Sequence, residues 1–200
     1  MDAVLGLLIT LPLLGAAVVV VTIRWRMLQR VVSFGVLSAL LGLGIALLVH
    51  ADGEGIAVTQ SGGWPAPWGI TLAADRLSAI MVTISAAMLL VVMVYAVGEG
   101  GVEREHASFH PVYLVLAAGV CTSFLTGDLF TLFVAFEMML VASYVLITMG
   151  GRGDQVRSGM TYVVISLIAS SLFVTALAFV YAATGTVNMA DLAGKIAELP

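Results

Sequence analysis

Charge is what this sequence has least of. Only 10% of its 200 residues are charged, while 61% are hydrophobic; soluble domains carry roughly 25% charged residues. Together with a mean hydropathy of +1.12, this excludes a chain folded for water alone and identifies a membrane protein. Cysteine is nearly absent. Cys121, in "AAGVCTSFL", is the single one, which excludes an internal disulfide and any Cys/His metal spacing, so it reads as packing. The sequence also lacks a Walker loop, GxGxxG, HExxH and a nucleophile elbow. It has no basic patch suited to nucleic acid. The expectation is therefore no cofactor, no metal, no nucleic-acid partner and no enzyme chemistry of its own. The 12 acidic and 8 basic residues give a formal charge of -4, but where they fall matters more than their sum.

What is present is a series of apolar runs. Six stretches meet the requirement of roughly 20 mostly apolar residues for a hydrocarbon core of about 30 Å: near 3 to 23, 31 to 50, 77 to 98, 111 to 126, 128 to 149 and 159 to 182. The fold class they predict is an all-α polytopic membrane protein. The fourth run is short and meets the fifth at "LTGDLF", where Gly127 and Asp128 break one helix and cap the next in a tight hairpin. The first begins with Asp2 and ends in the basic "RWRMLQR", so it reads as an anchor and not as a cleavable signal. Loops after the first, third and fifth runs hold Arg24, Arg26, Arg30, Arg104, Arg152 and Arg157; the opposite loops hold Arg76 and Lys195. The positive-inside rule then puts the N-terminus outside, although "EGGVEREHASFHP" also carries Glu99, Glu103 and Glu105.

The external stretch 51 to 76 contains "SGGWPAPWGITLAADRLSAI". Alternation in "GIAVTQ" and "WGITLAAD" predicts a short hairpin around glycines and prolines, including Pro65 and Pro67. Trp64 and Trp68 suit a membrane interface. Asp75 is expected to cap the third helix, and Arg76 to be an interfacial anchor or the ion-pair partner of Asp75. His50, His106 and His110 fall near helix ends or in a loop and read as interfacial, with proton passage at the two surfaces by His50 and His110 as the alternative. In "MTYVVISLIASSLFVTALAFVY", Thr161, Ser166, Ala169 and Ser170 stand at helical spacings, which points to close helix packing, with a hydrated path as the alternative. Residues 190 to 199, with Asp191 and Lys195 at i,i+4 and Leu192, Ile196 and Leu199 on another face, predict a short surface helix.

Glu137 breaks this pattern. Counting about 1.5 Å per residue, nine steps from Asp128 put it roughly 13.5 Å below the helix end, near the midplane. An unpaired charge there costs about 2.5 to 3.5 kcal/mol on insertion scales, so such residues face a partner or a water-filled cavity. Burial disfavours its charged form and a nearby cation favours it, opposing effects that make a proton site switchable. No lysine or arginine falls inside the six runs, so a basic partner is expected from beyond residue 200 or from another subunit. A protonated, purely structural Glu137 is the competing reading. Ser143 and Tyr144 lie six and seven residues further on, and are read either as packing or as hydrogen-bonding water along a proton route.

"TGDLFTLFVAFEMMLVASYVLI" resembles the fifth helix of the antiporter-like membrane subunits shared by Mrp-type multisubunit Na+/H+ antiporters and respiratory complex I. "GGWPAPWGITLAADRLSAIM" and "YAATGTVNMADLAGKI" resemble the Mrp side, and within it the D-type antiporter component. The resemblance implies the N-terminal portion of a subunit of about fourteen helices with two inverted five-helix repeats, each with a broken helix. It implies that Glu137 translocates a proton opposite a lysine on a seventh helix, absent here, and that the chain is truncated. The organisation it suggests is 1–110, three N-terminal helices with the external loop; 111–182, the first part of the first repeat; and 183–200, a link towards a missing helix. Implied partners are other antiporter subunits, the bilayer of the plasma membrane, H+ and Na+. Two other functions stay open: a proton-pumping subunit of an NADH- or ferredoxin-linked quinone oxidoreductase, and a non-transporting scaffold.

Overall fold

The computed structural model describes residues 1–64, 66, 68–99 and 101–197. In chain order it forms α1 (Asp2–Val21), α2 (Arg26–Gly53), β1 (Ala57–Ser61), β2 (Ile70–Ala74), α3 (Arg76–Glu99), α4 (Val102–Glu105), α5 (Phe109–Leu125), α6 (Leu129–Thr148), α7 (Gly153–Thr184) and α8 (Met189–Ala197). The apolar runs become helices because lipid offers backbone N–H and C=O groups no partner outside the segment. Five of these helices, α1, α2, α3, α6 and α7, are long and apolar enough to cross a membrane. The 17 residues of α5 reach only about 25 Å, matching the short fourth run. The chain is an all-α multi-pass membrane protein with one small hairpin.

Helix ends differ from the expectation in an informative way. α2 starts at Arg26 and α7 at Gly153, several residues before the apolar runs begin. Arg26, Arg30, Arg76 and Arg157 therefore lie inside helices, which corrects the view that the helices hold no basic residue. Helical hydrogen bonding continues beyond the apolar runs, and there the charged heads of Arg30 and Arg76 meet the carboxylates of Glu103 and Asp52.

The core sits where α1, α2, α3 and α5 meet, and is filled by Leu5, Leu8, Leu37, Leu40, Val82, Met93 and Leu114. α5 packs against α1 on one side and α6 on the other. The α5–α6 approach depends on Gly119: a Cβ there would stand 2.7 Å from Met139 Cγ and 3.2 Å from the Ala135 carbonyl. α7 packs along α6 and buries little besides Gly159 and Leu177. Ile165, Ile168, Leu172 and Phe179 on it remain exposed.

At one end of the bundle, β1 and β2 pair antiparallel, Ala57 opposite Ala74 through Ser61 opposite Ile70. Trp64 and Trp68 are exposed near its tip. The turns expected at Pro65 and Pro67, and the end of the last helix at Leu199, lie outside the described residues. Asp75 caps α3, accepting from the Ser78 amide at 2.7 Å, and these local hydrogen bonds hold its carboxyl below the usual range. Its carboxylate is thus occupied. Arg76 pairs instead with Asp52 at 3.0 Å and donates to the carbonyls of Ala51 and Asp52, which corrects the proposed Asp75–Arg76 pair. The hairpin is lashed to the rest of this end. The Gly127 amide donates to the Thr71 carbonyl at 2.7 Å, the Met189 amide to the Gly127 carbonyl and the Leu129 amide to the Val187 carbonyl. The buried Asn188 amide group donates to Thr71 Oγ1 at 2.9 Å.

Candidate functional site

Glu137 is positioned by how α6 begins. Gly127 and Asp128 end α5 and start α6; Asp128 Oδ1 accepts from the Thr131 amide at 2.6 Å and Oδ2 from the Thr131 hydroxyl at 2.7 Å. This N-cap satisfies an otherwise orphaned donor and fixes the helix register. One face of α6, carrying the buried Ala135 and Ala142 and also Met139, turns to α5. Glu137, two residues from Ala135 and so about 200° around the helix, turns away from it and towards α7.

There the Ser170 hydroxyl donates to Glu137 Oε1. Glu137 is half-buried and lines a cleft of about 60 Å³ with Leu140, Val141, Tyr144, Tyr162, Val163, Ser166, Leu167 and Ser170, whose open surface is mostly apolar. Tyr162, Ser166 and Ser170 follow one another at intervals of four, one stripe of α7. On the other side of Glu137, towards the hairpin end, Phe173 stacks on Phe133 at 5.8 Å and meets Phe136 edge-on at 6.4 Å. The environment is therefore asymmetric along the helix axis: a cleft with hydroxyl-bearing side chains set among aliphatic ones towards the Arg152 end, an aromatic cluster towards the hairpin. Tyr144 shares the cleft with Glu137. Ser143 donates to the Met139 carbonyl of its own helix at 2.6 Å.

A family model described as "NADH:quinone oxidoreductase/Mrp antiporter, TM" matches residues 126–198, the segment from the α5–α6 turn through α8 that contains Glu137, Ser170 and Asn188. The D component of the Na+/H+ antiporter of Alkalihalophilus pseudofirmus is 43% identical over 191 residues, 96% of this chain and 39% of that protein. The chain belongs to this antiporter-like subunit family. The D component of a probable K+/H+ antiporter of Rhizobium meliloti is 41% identical over 205 residues, covering 100% of this chain and 38% of the relative. Among solved structures, a chain of the Mrp complex from Dietzia sp. superposes with a TM-score of 0.86 at 33% identity, over 94% of this chain and 35% of that one. The chain thus spans about two-fifths of the length of the curated relatives it matches.

This antiporter-like chain also holds a second polar cluster that sequence reasoning missed. Arg30 donates from Nε and Nη2 to the two oxygens of Glu103, at 2.9 and 2.7 Å. His110 Nε2 lies 3.0 Å from Glu103 Oε1 and His110 Nδ1 lies 3.0 Å from Ser33 Oγ. A carboxylate only accepts, so Nε2 carries the proton and Nδ1 of the neutral ring accepts from Ser33. The Arg30 guanidinium, aided by His110, holds the Glu103 carboxyl down at about 2 despite its burial. His110 stands at a helix end, as expected, but is 1% exposed and enclosed by this cluster. The α3–α5 connection folds Glu103 over it, and no local spacing announces contacts that bring residues 30, 33, 103 and 110 together.

Proposed function

We propose that this chain forms the proton-binding part of an ion-translocating membrane subunit in an Mrp-type multisubunit Na+/H+ antiporter, with Glu137 taking up and releasing the proton. The observation that carries the reading is the placement of Glu137. It lies near mid-depth on the face of α6 that α5 does not use, hydrogen-bonded across to α7, beside a cleft on one side and an aromatic cluster on the other. A carboxylate at that depth costs about 2.5 to 3.5 kcal/mol. The α5–α6 contact does not use it, being made by Ala135, Met139 and Ala142. The route that the cleft suggests runs past Tyr144 and Ser166, with Ser143 behind it as support for the α6 backbone.

The arginines at the Arg24 and Arg152 end favour placing that end in the cytoplasm, with the N-terminus outside and the cleft facing inward across the plasma membrane. In this arrangement residues 1–110 are the preceding helices, 111–182 the start of an inverted repeat and 183–200 a link along the outer surface. The partners are further antiporter subunits, and sodium is the cation; the relatives' names include both sodium and potassium. Redox-linked proton pumping is the second reading, favoured by a family description that also covers NADH:quinone oxidoreductases. A sodium pulse applied to everted vesicles carrying the whole complex separates the two. Proton movement that follows sodium without an electron donor is the expected result; movement that requires an electron donor and a quinone would overturn it.

A further inference from the structure

Four of the seven Ser and Thr hydroxyls of α7 behave alike. Thr161, Ser171, Thr175 and Thr184 each donate back to the carbonyl four residues earlier, at 2.7 to 3.2 Å. Ser143 and Thr148 do the same on α6. This back-bonding is the ordinary resting state of a helical Ser or Thr side chain. Ser170 does otherwise: it reaches across the α6–α7 interface to Glu137. Its own alternative acceptor, the Ser166 carbonyl, lies one turn away on the cleft-lining stripe.

We propose that Ser170 is a positioning residue for Glu137, holding the ionised carboxylate against α7 and falling back to the Ser166 carbonyl when the carboxylate is protonated or moves away. The inference rests on the proton-binding role proposed above. A hydroxyl with two acceptors, one in each state, keeps its own proton hydrogen-bonded in both, and its oxygen can accept from the carboxyl when that is protonated. Hydrogen-bond donation stabilises an ionised carboxylate, so loss of the Ser170 donor is expected to displace the pH profile of exchange. Other groups that face the site are few among the described residues. Tyr144 of α6 and Tyr162 of α7 line the cleft. From α5, on the far face of α6, Tyr113 donates to the Leu89 carbonyl of α3 and Cys121 belongs to the core, so neither acts on Glu137.

The test is the pH profile of cation-dependent proton exchange in everted vesicles carrying the whole complex at matched assembly, for native protein, Ser170→Ala, Ser170→Thr, Ser170→Cys and Glu137→Gln. One hydrogen bond to a charged group corresponds to a displacement of about one pH unit. Ser170→Ala is expected to move the profile upward by that amount with exchange retained, Ser170→Thr to leave it in place, and Ser170→Cys, a weak donor, to fall between. If Ser170→Ala does not assemble, the Cys and Thr profiles decide. Superimposed Ala and native profiles, coincident Cys and native profiles, or a Thr profile displaced like that of Ala, with Glu137→Gln inactive, overturn the role of Ser170 and leave the proton site standing. Native exchange in Glu137→Gln overturns the proton site itself.

Discussion

Replacing Glu103 by glutamine keeps the shape of the side chain and removes the charge that holds Arg30 and His110 together. The native carboxylate is 1% exposed, accepts two arginine hydrogen bonds and faces His110. Its displacement from 4.5 to about 2 corresponds to about 3 kcal/mol. Arg30 is 27% exposed, and solvent screening there brings the expected loss to about 2 kcal/mol. Cys121, buried in the core, supplies the assay. The intact complex is pulse-alkylated along a temperature ramp, and labelling of the Cys121 peptide is followed by mass spectrometry. At pH 7 the Glu103→Gln midpoint is expected several degrees below native, with Arg30→Gln similar and the double variant far from additive. Because the folded-state value is depressed, the contribution of Glu103 is complete above about 4.5 and is lost as the pH falls towards about 2. The gap between native and variant should therefore hold from pH 8 to about 5 and close below that. Equal midpoints at pH 7, or a gap that widens in acid, would refute the reasoning.

Asn188→Ala removes the buried link from the α7–α8 connector to Thr71 and should cost about 1 to 3 kcal/mol. Amide hydrogen exchange should accelerate at Gly127 and Met189, whose backbone bonds join the same seam, and leave the α1–α5 core unchanged. Gly119→Val places a side chain where a single Cβ already stands 2.7 Å from Met139, so α6 must shift. Less of the protein should be recovered in the assembled complex, while Gly42→Ala, where a Cβ meets nothing within 4 Å, should assemble normally.

The spans were legible because lipid makes hydropathy and helix nearly the same statement: each of the six runs became a helix, and Asp75 and Asp128 stand as caps where a turn residue precedes an apolar run. Helix ends were less legible, since a helix continues as far as its hydrogen bonds are satisfied and so took in Arg26, Arg30 and Arg157. Glu137 stood out by depth alone. Ser170 was visible as one member of a small-polar stripe, but the neighbouring Ser171 has the same chemistry and bonds its own helix. Only the rotation of α7 on α6 distinguishes the two. The Arg30–Glu103–His110 cluster was illegible because its members come from three segments with no shared period, and because Glu103 looked like one more acid in an acidic loop. Pairing with its sequence neighbour was one of two readings of Arg76, whereas the folded chain commits Asp75 to the helix end and offers Asp52 instead.

The most direct measurement is sodium-dependent proton exchange in everted vesicles containing the whole complex, native against Glu137→Gln, with the amount of each component matched by quantitative mass spectrometry. Abolished exchange in an intact assembly is the predicted result, since glutamine preserves the shape and the contact with Ser170 but cannot bind and release a proton. Exchange at the native rate would make the carboxylate structural and contradict the proposed mechanism.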